Sequence, residues 1–462
     1  MRAPPTAFDR WAIVLAGSAV MLTIGTIYSW GIFTQPLLVA FQWDLTTTTW
    51  TYAIANFSLA AVGTLLGGFW QDRAGPRKVA MLGIGLWGCG NLLAGLGTPS
   101  FGAPWLYLTY GVIGGVGAGM AYVAPLAMVT KWFPDRGGLA GGLVAGGFGL
   151  GAFIYNQCIP RLVGFHAAAL HADNYIAARS AAQVAGISFD RSALSVAQTP
   201  TAGDMAALMH VFIASGIAYL LVGLPAAALF RDPPQQYRVA GRPAAATAAA
   251  KAGYPPSIVL TMPQFYLLWL QLFANVVVGI TIISNAVCIL AELTQLSAAA
   301  IAPLFGIVSV FNAAGRFFWG AISDRIGCNR TFAAMFAVQA VTLLLLSTVH
   351  HLALALAGVS VVLLCCGGGF GTMPSYNAQY FGTRYVGRNY GLLLSAWGVA
   401  GLIGPIVIAR VKDLSGSFAG MMPMVAVMLL ASVVLPFITR KPVPVHDPEP
   451  ALHRQVCCPS QE

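Results

Sequence analysis

Residues 298–320 form an apolar run that nevertheless contains Arg316. No other Lys, Arg, Asp or Glu falls well inside such a run. Where the run crosses a bilayer, a charge at its centre costs about 2.5–3.5 kcal/mol on insertion scales, so a chain that keeps it should use it. Guanidinium groups stay charged and present a planar fork that matches a carboxylate. A water-accessible cavity holding one such cation attracts one negative charge. Asn312 lies one turn earlier on the same helical face, and Ser309 one turn before that. Tyr28, Tyr122, Tyr155, Asn156, Tyr376 and Asn377 also sit in apolar runs and can donate hydrogen bonds to a carboxylate or hydroxyl. The competing reading of these six is helix packing or interfacial anchoring. For Arg316 it is a side chain that snorkels to the interface.

The elements that must hold these residues follow from composition. Only 8% of residues are charged, against roughly 25% in a soluble domain, and 58% are hydrophobic. So few charges cannot coat a water-soluble fold of this length, and hydrocarbon is the solvent that accepts them. Twelve apolar stretches are long enough to span, at 11–35, 49–70, 78–98, 103–130, 138–162, 206–230, 263–291, 298–320, 331–349, 352–378, 389–411 and 418–438, numbered here one to twelve. The first is a spanning helix rather than a cleaved leader. Long continuous runs exclude a β-barrel, whose strands alternate over about ten residues. The fold class expected is therefore an all-α membrane protein with twelve transmembrane helices.

Charge orients it. With both termini in the cytoplasm, 18 of the 24 Lys and Arg fall inside, five outside, and Arg316 within a span. The net charge of +10 is scattered through short loops, so no nucleic-acid patch is expected. Residues 231–260, rich in Ala and Pro, are expected to be a cytoplasmic linker between residues 1–230 and 261–440, with a cytoplasmic tail at 441–462. The outer loop 163–205 is long and is taken as a surface insertion.

The two parts resemble one another. Gly68-Phe-Trp-Gln-Asp72-Arg73-Ala-Gly75 follows span two, and Gly320-Ala-Ile-Ser-Asp324-Arg325-Ile-Gly327 follows span eight, so Gly, Asp, Arg and Gly recur in register. The chain thus reads as two six-helix halves, an architecture that places a site between them near the midplane. The glycines suit a tight turn. Asp72 and Asp324 can accept backbone N–H groups at a neighbouring helix N-terminus, and Arg73 and Arg325 can pair across the halves. Gly68, Asp72, Arg73, Gly75, Asp324 and Arg325 would then latch one end of the bundle.

These paired loops resemble the signature of the major facilitator superfamily over the whole chain. Within it, Tyr28-Ser29-Trp30, Lys131 to Gly137, Thr261 to Tyr266, Phe381-Gly382-Thr383 and Arg388-Asn389-Tyr390-Gly391 resemble the oxalate:formate antiporter family, close to the monocarboxylate transporters. The resemblance implies that Arg316 is a carboxylate anchor and that Tyr28 and Tyr122 occupy aromatic site positions. Proton-coupled monocarboxylate transporters would have an Asp where this chain has Asn312, which cannot titrate. Oxalate carriers have a Lys where this chain has Trp397, and aromatics in span ten where it has Cys366 and Phe370. One cation in place of two implies a monoanion with an apolar end.

The reading is a secondary carrier of a lactate- or pyruvate-like acid in the inner membrane, by proton symport or anion exchange. Oxalate:formate-type exchange and a carrier for an unrelated solute are the alternatives. No enzyme, cofactor or metal is expected, because no nucleotide loop, zinc spacing or nucleophile–base set occurs. Its partners are a small organic anion, protons in the symport case, and lipid; no oligomer is required.

Overall fold

The computed structural model describes residues 7–43, 45–159, 202–234, 237, 253–296, 301, 304, 307–415 and 420–442. Most of the expected outer loop and linker, and the tail beyond 442, lie outside them. Among the described residues the structure is helical, with one isolated antiparallel bridge between Gly253 and Gly382. Nine stretches are long and apolar enough to cross a membrane. One, Pro76–Trp132, contains both spans three and four, divided where Gly102 takes φ 69°. The nine therefore hold ten of the twelve expected spans. Spans eight and eleven are the helices Val310–Ile326 and Val386–Ser415.

Some boundaries differ from expectation. Span one was expected to end at 35, but a 3₁₀ turn at Thr26–Ser29 interrupts it and the helix resumes over Gly31–Phe41. The tighter turn rotates the faces on either side of it. Spans two and four contain π-helical stretches, Ser58–Gly63 and Tyr107–Gly114, which likewise re-aim the side chains that follow.

Large apolar side chains point outward. Leu15, Leu221, Leu345 and Phe437 are exposed, the pattern of a bundle whose surroundings are lipid. Inside, contact depends on small residues, which let helix backbones approach. Two seams join the halves and repeat one another. Span five (Gly137–Cys158) packs on span eight, and span two on span eleven. A Cβ on Gly138 would strike the Gly320 carbonyl, and a Cβ on Gly68 would strike that of Gly387. The turns repeat as well: Gly75 takes φ 84° and Gly327 φ 86°, conformations that cost little only for glycine.

Candidate functional site

Arg316 lies on the seam between the halves and is only 1% exposed. It does not snorkel to solvent. Its backbone carbonyl is clamped between Gly142 of span five and Gly371 of span ten (Leu352–Phe381), where any side chain would collide. The guanidinium crosses to the opposite half, where Nη1 donates to the Ala145 carbonyl at 3.0 Å. Rings close over it from both sides: Phe148 of span five at 5.1 Å and Phe370 of span ten at 5.0 Å from the guanidinium carbon. No carboxylate pairs with it among the described residues.

An aromatic cage surrounds the cation. Trp397 of span eleven meets Phe370 at 5.2 Å, Tyr122 of span four at 5.4 Å, Phe148 at 6.0 Å and Tyr28 of span one at 6.1 Å. Tyr28 and Tyr122 in turn contact Phe148 edge-on at 4.9 and 5.4 Å. Three of these rings come from the first half and two from the second, so the cage exists only where the halves meet. Asn312 is buried behind it, with Nδ2 at 3.5 Å from the Leu363 carbonyl and the Cys366 thiol beside it.

The cage leaves hydrogen-bond donors unused. Arg316 Nε, the Tyr122 hydroxyl, the Trp397 indole nitrogen and the Tyr390 hydroxyl are all buried without a partner. The Tyr122 and Tyr390 hydroxyls lie close enough to interact with each other and with Arg316, but no contact between them reaches good hydrogen-bond geometry. A buried donor without a partner carries its full desolvation cost, about 1–3 kcal/mol. An anion that accepts from several of them at once would relieve it. The arrangement thus offers its free donors to an acceptor-rich anion.

Six of the residues singled out in the sequence thus gather here: Arg316, Tyr28, Tyr122, Asn312, Phe370 and Trp397. Four others do not. Tyr155 bonds Ser215 Oγ at 2.7 Å inside the first half and packs on Phe33. Asn156 lies eight residues beyond Phe148, about 12 Å farther along span five. Tyr376 packs between Phe332 and Tyr380, with its hydroxyl 3.4 Å from Gln271 Oε1. Asn377 donates to the Val386 carbonyl at 3.3 Å, bracing the start of span eleven. Conversely, Phe148, Tyr390 and the Ala145 carbonyl were not picked out from the sequence. Phe148 had a signal, as the one aromatic in the Gly-rich run 137–151, and Tyr390 had another, on the same face as Trp397 seven residues on.

At one end of the bundle the repeated loops reach across the seams. Asp324 accepts from the Gly138 and Leu139 amides, both at 2.8 Å, at the N-terminus of span five. Asp72 accepts from Gly387 at 3.2 Å and Arg388 at 3.0 Å, at the N-terminus of span eleven. Each aspartate caps a helix of the opposite half, where the partial positive charge of the helix favours a carboxylate. The arginines depart from expectation. Arg73 and Arg325 are exposed and pair with nothing among the described residues. The arginine that approaches across the seam is Arg388, 3.8 Å from Asp72. Arg73 and Arg325 are the residues just after the aspartates, and a 100° helical step turns them away from the seam.

Two repeated helical halves, with their one buried Lys or Arg among the described residues on the seam between them, define a multi-pass membrane transporter. The chain belongs to the Major Facilitator Superfamily, whose model matches residues 15–168, 205–405 and 276–456. It is 27% identical over 399 residues to the oxalate:formate antiporter of Oxalobacter formigenes, covering 86% of this chain and 83% of that one. It is 26% identical over 381 residues to apicoplast pyruvate carrier 1 of Toxoplasma gondii, covering 76% and 67%. A solved proton:xylose symporter superposes with a TM-score of 0.70 at 14% identity, covering 95% of this chain and 97% of that one. The fucose:proton symporter of E. coli superposes at 0.66 and 13% identity, covering 93% and 100%. Both share the fold.

Proposed function

We propose that this transporter carries a small monocarboxylate of the lactate or pyruvate type by alternating access, through proton symport or anion exchange. The observation that carries this reading is Arg316, a buried cation without an acid partner among the described residues, ringed by aromatic faces and idle donors. One fixed positive charge matches one carboxylate, and the rings match a short apolar tail. Asn312 stands behind the cation but cannot itself carry the proton. Tyr155, Tyr376 and Asn377 act as packing and bracing residues, and they and Asn156 lie outside the substrate shell. Relatives named for pyruvate and for oxalate:formate exchange support an organic anion as cargo. The second relative's chemistry keeps one alternative alive: exchange of one small carboxylate for another, formate included.

Rocking of the halves would move access from one side to the other. Asp72 and Asp324, supported by the turns at Gly75 and Gly327 and the close approach at Gly68, would hold one end shut, and Arg388 rather than Arg73 or Arg325 would add the charge. The excess of Lys and Arg in the loops at that end supports a cytoplasmic placement of it, in an inner membrane, with residues 1–230 and 261–440 as the moving bodies.

The test is uptake of labelled pyruvate and lactate into proteoliposomes, with and without a pH gradient. Uptake that disappears in Arg316→Ala supports the anchor. Uptake that persists there removes the carboxylate reading and leaves the fold intact.

A further inference from the structure

Tyr390 has no task in the packing that its hydroxyl would serve. It is fully buried on span eleven, and a buried tyrosine normally gives its hydroxyl a partner. This one has none. Phenylalanine would fill the same space without stranding a donor. The hydroxyl lies beside that of Tyr122, which likewise lacks a partner in good hydrogen-bond geometry, and both are within electrostatic reach of Arg316. Trp397, two turns along the same face, carries another idle donor, and its ring lies 5.4 Å from the Tyr122 ring.

The ligand chemistry follows from counting. A carboxylate has two oxygens, and the fork of Arg316 engages them. Two of the carboxylate's about four lone-pair sites are then left for three further idle donors, on Tyr122, Tyr390 and Trp397, so one donor has no acceptor on the carboxylate. An oxygen on the neighbouring carbon supplies one. We infer that Tyr390 is a specificity-determining residue that, together with Tyr122, reads an oxygen on carbon 2 of the transported acid. The transporter accordingly favours 2-oxygenated monocarboxylates over plain alkanoates of the same size. The inference rests on the carboxylate reading of Arg316 and adds to it the selection among carboxylates. Its physical source is the cost of leaving buried donors unsatisfied when the smaller analogue binds, a stronger discriminator than the loss of a methylene.

The experiment compares pyruvate with propionate, which differ in that one oxygen. Competition by each acid against labelled pyruvate uptake is measured in proteoliposomes of the wild type and of Tyr390→Phe. Wild type is expected to favour pyruvate by roughly tenfold or more. In Tyr390→Phe the ratio is expected to fall toward one, because the affinity for pyruvate drops more than that for propionate. Tyr122→Phe, which removes the other hydroxyl, is expected to lower the same ratio and serves if the first variant does not fold. Equal competition by the two acids in wild type, or an unchanged ratio in both variants, overturns the inference while Arg316 keeps its role. Absence of uptake of either acid by the wild type overturns this inference and the carboxylate reading together.

Discussion

Arg316 and Ala145 are 171 residues apart and in opposite halves, yet the guanidinium of the first donates to the carbonyl of the second at 3.0 Å. The only side-chain cation buried among the described residues is therefore held by backbone of the half it does not belong to. The proposed rocking of the halves would act on this bond and so would couple charge and conformation at the same point.

That coupling predicts that charge alone will not suffice. Arg316→Lys keeps the cation but lacks the planar fork, and it cannot bridge Ala145 and a carboxylate in the same geometry. Pyruvate uptake is expected to fall by about tenfold or more, consistent with the loss of one charge-assisted hydrogen bond. Initial rates in proteoliposomes, normalised to reconstituted protein, check this. A lysine variant at wild-type rate would show that only the charge counts.

Trp397 lies 5.2 Å from the ring of Phe370 that covers Arg316, at the position where the resemblance to oxalate carriers implies a second cation. Trp397→Lys is expected to shift preference from monoanions to dianions. Oxalate should become a stronger competitor of labelled uptake than pyruvate, with the order reversed in wild type. A dianion has two charges to neutralise, and one buried arginine satisfies only one of them.

The aspartate caps should hold one end of the bundle shut. Asp72→Asn or Asp324→Asn removes the charge that binds a helix N-terminus of the other half, worth about 1 kcal/mol each. This is expected to raise the share of molecules open at that end about fivefold. A cysteine placed at Ser323, now 2% exposed, in a background without other cysteines should react faster with a maleimide in either variant. Unchanged labelling would argue that the caps serve folding rather than gating.

Close approach at the cation sets a stability difference between two glycines. Gly371→Ala would drive a methyl into the Arg316 carbonyl, whereas Gly85 has open space where a side chain would go. The first substitution is expected to cost about 1–3 kcal/mol, as overpacking does, and the second almost nothing. Thermal unfolding followed by size-exclusion recovery in detergent distinguishes them.

Much of this was legible in the sequence for simple physical reasons. A span must bury about 20 residues in hydrocarbon, so long apolar runs mark where helices cross. A buried charge is costly, so Arg316 stood out against such a run. A turn that needs φ near 85° needs glycine, so Gly75 and Gly327 appeared in register, with Asp72 and Asp324 beside them. Helical periodicity also placed Asn312 on the face of Arg316.

What the sequence left open was the rotation of each helix about its axis and the choice of neighbour across the seam. Tyr376 and Trp397 look alike as polar aromatics in apolar runs, yet one is turned toward Gln271 and the other packs on Phe370, the ring that covers Arg316. Arg73 and Arg388 both read in the sequence as arginines at span ends, yet only the second approaches Asp72. The Ala145 carbonyl has no signature at all, because every residue carries one. These choices belong to the tertiary structure, since they depend on which glycines let two backbones touch, and contacts between segments more than a hundred residues apart have no trace in local spacing.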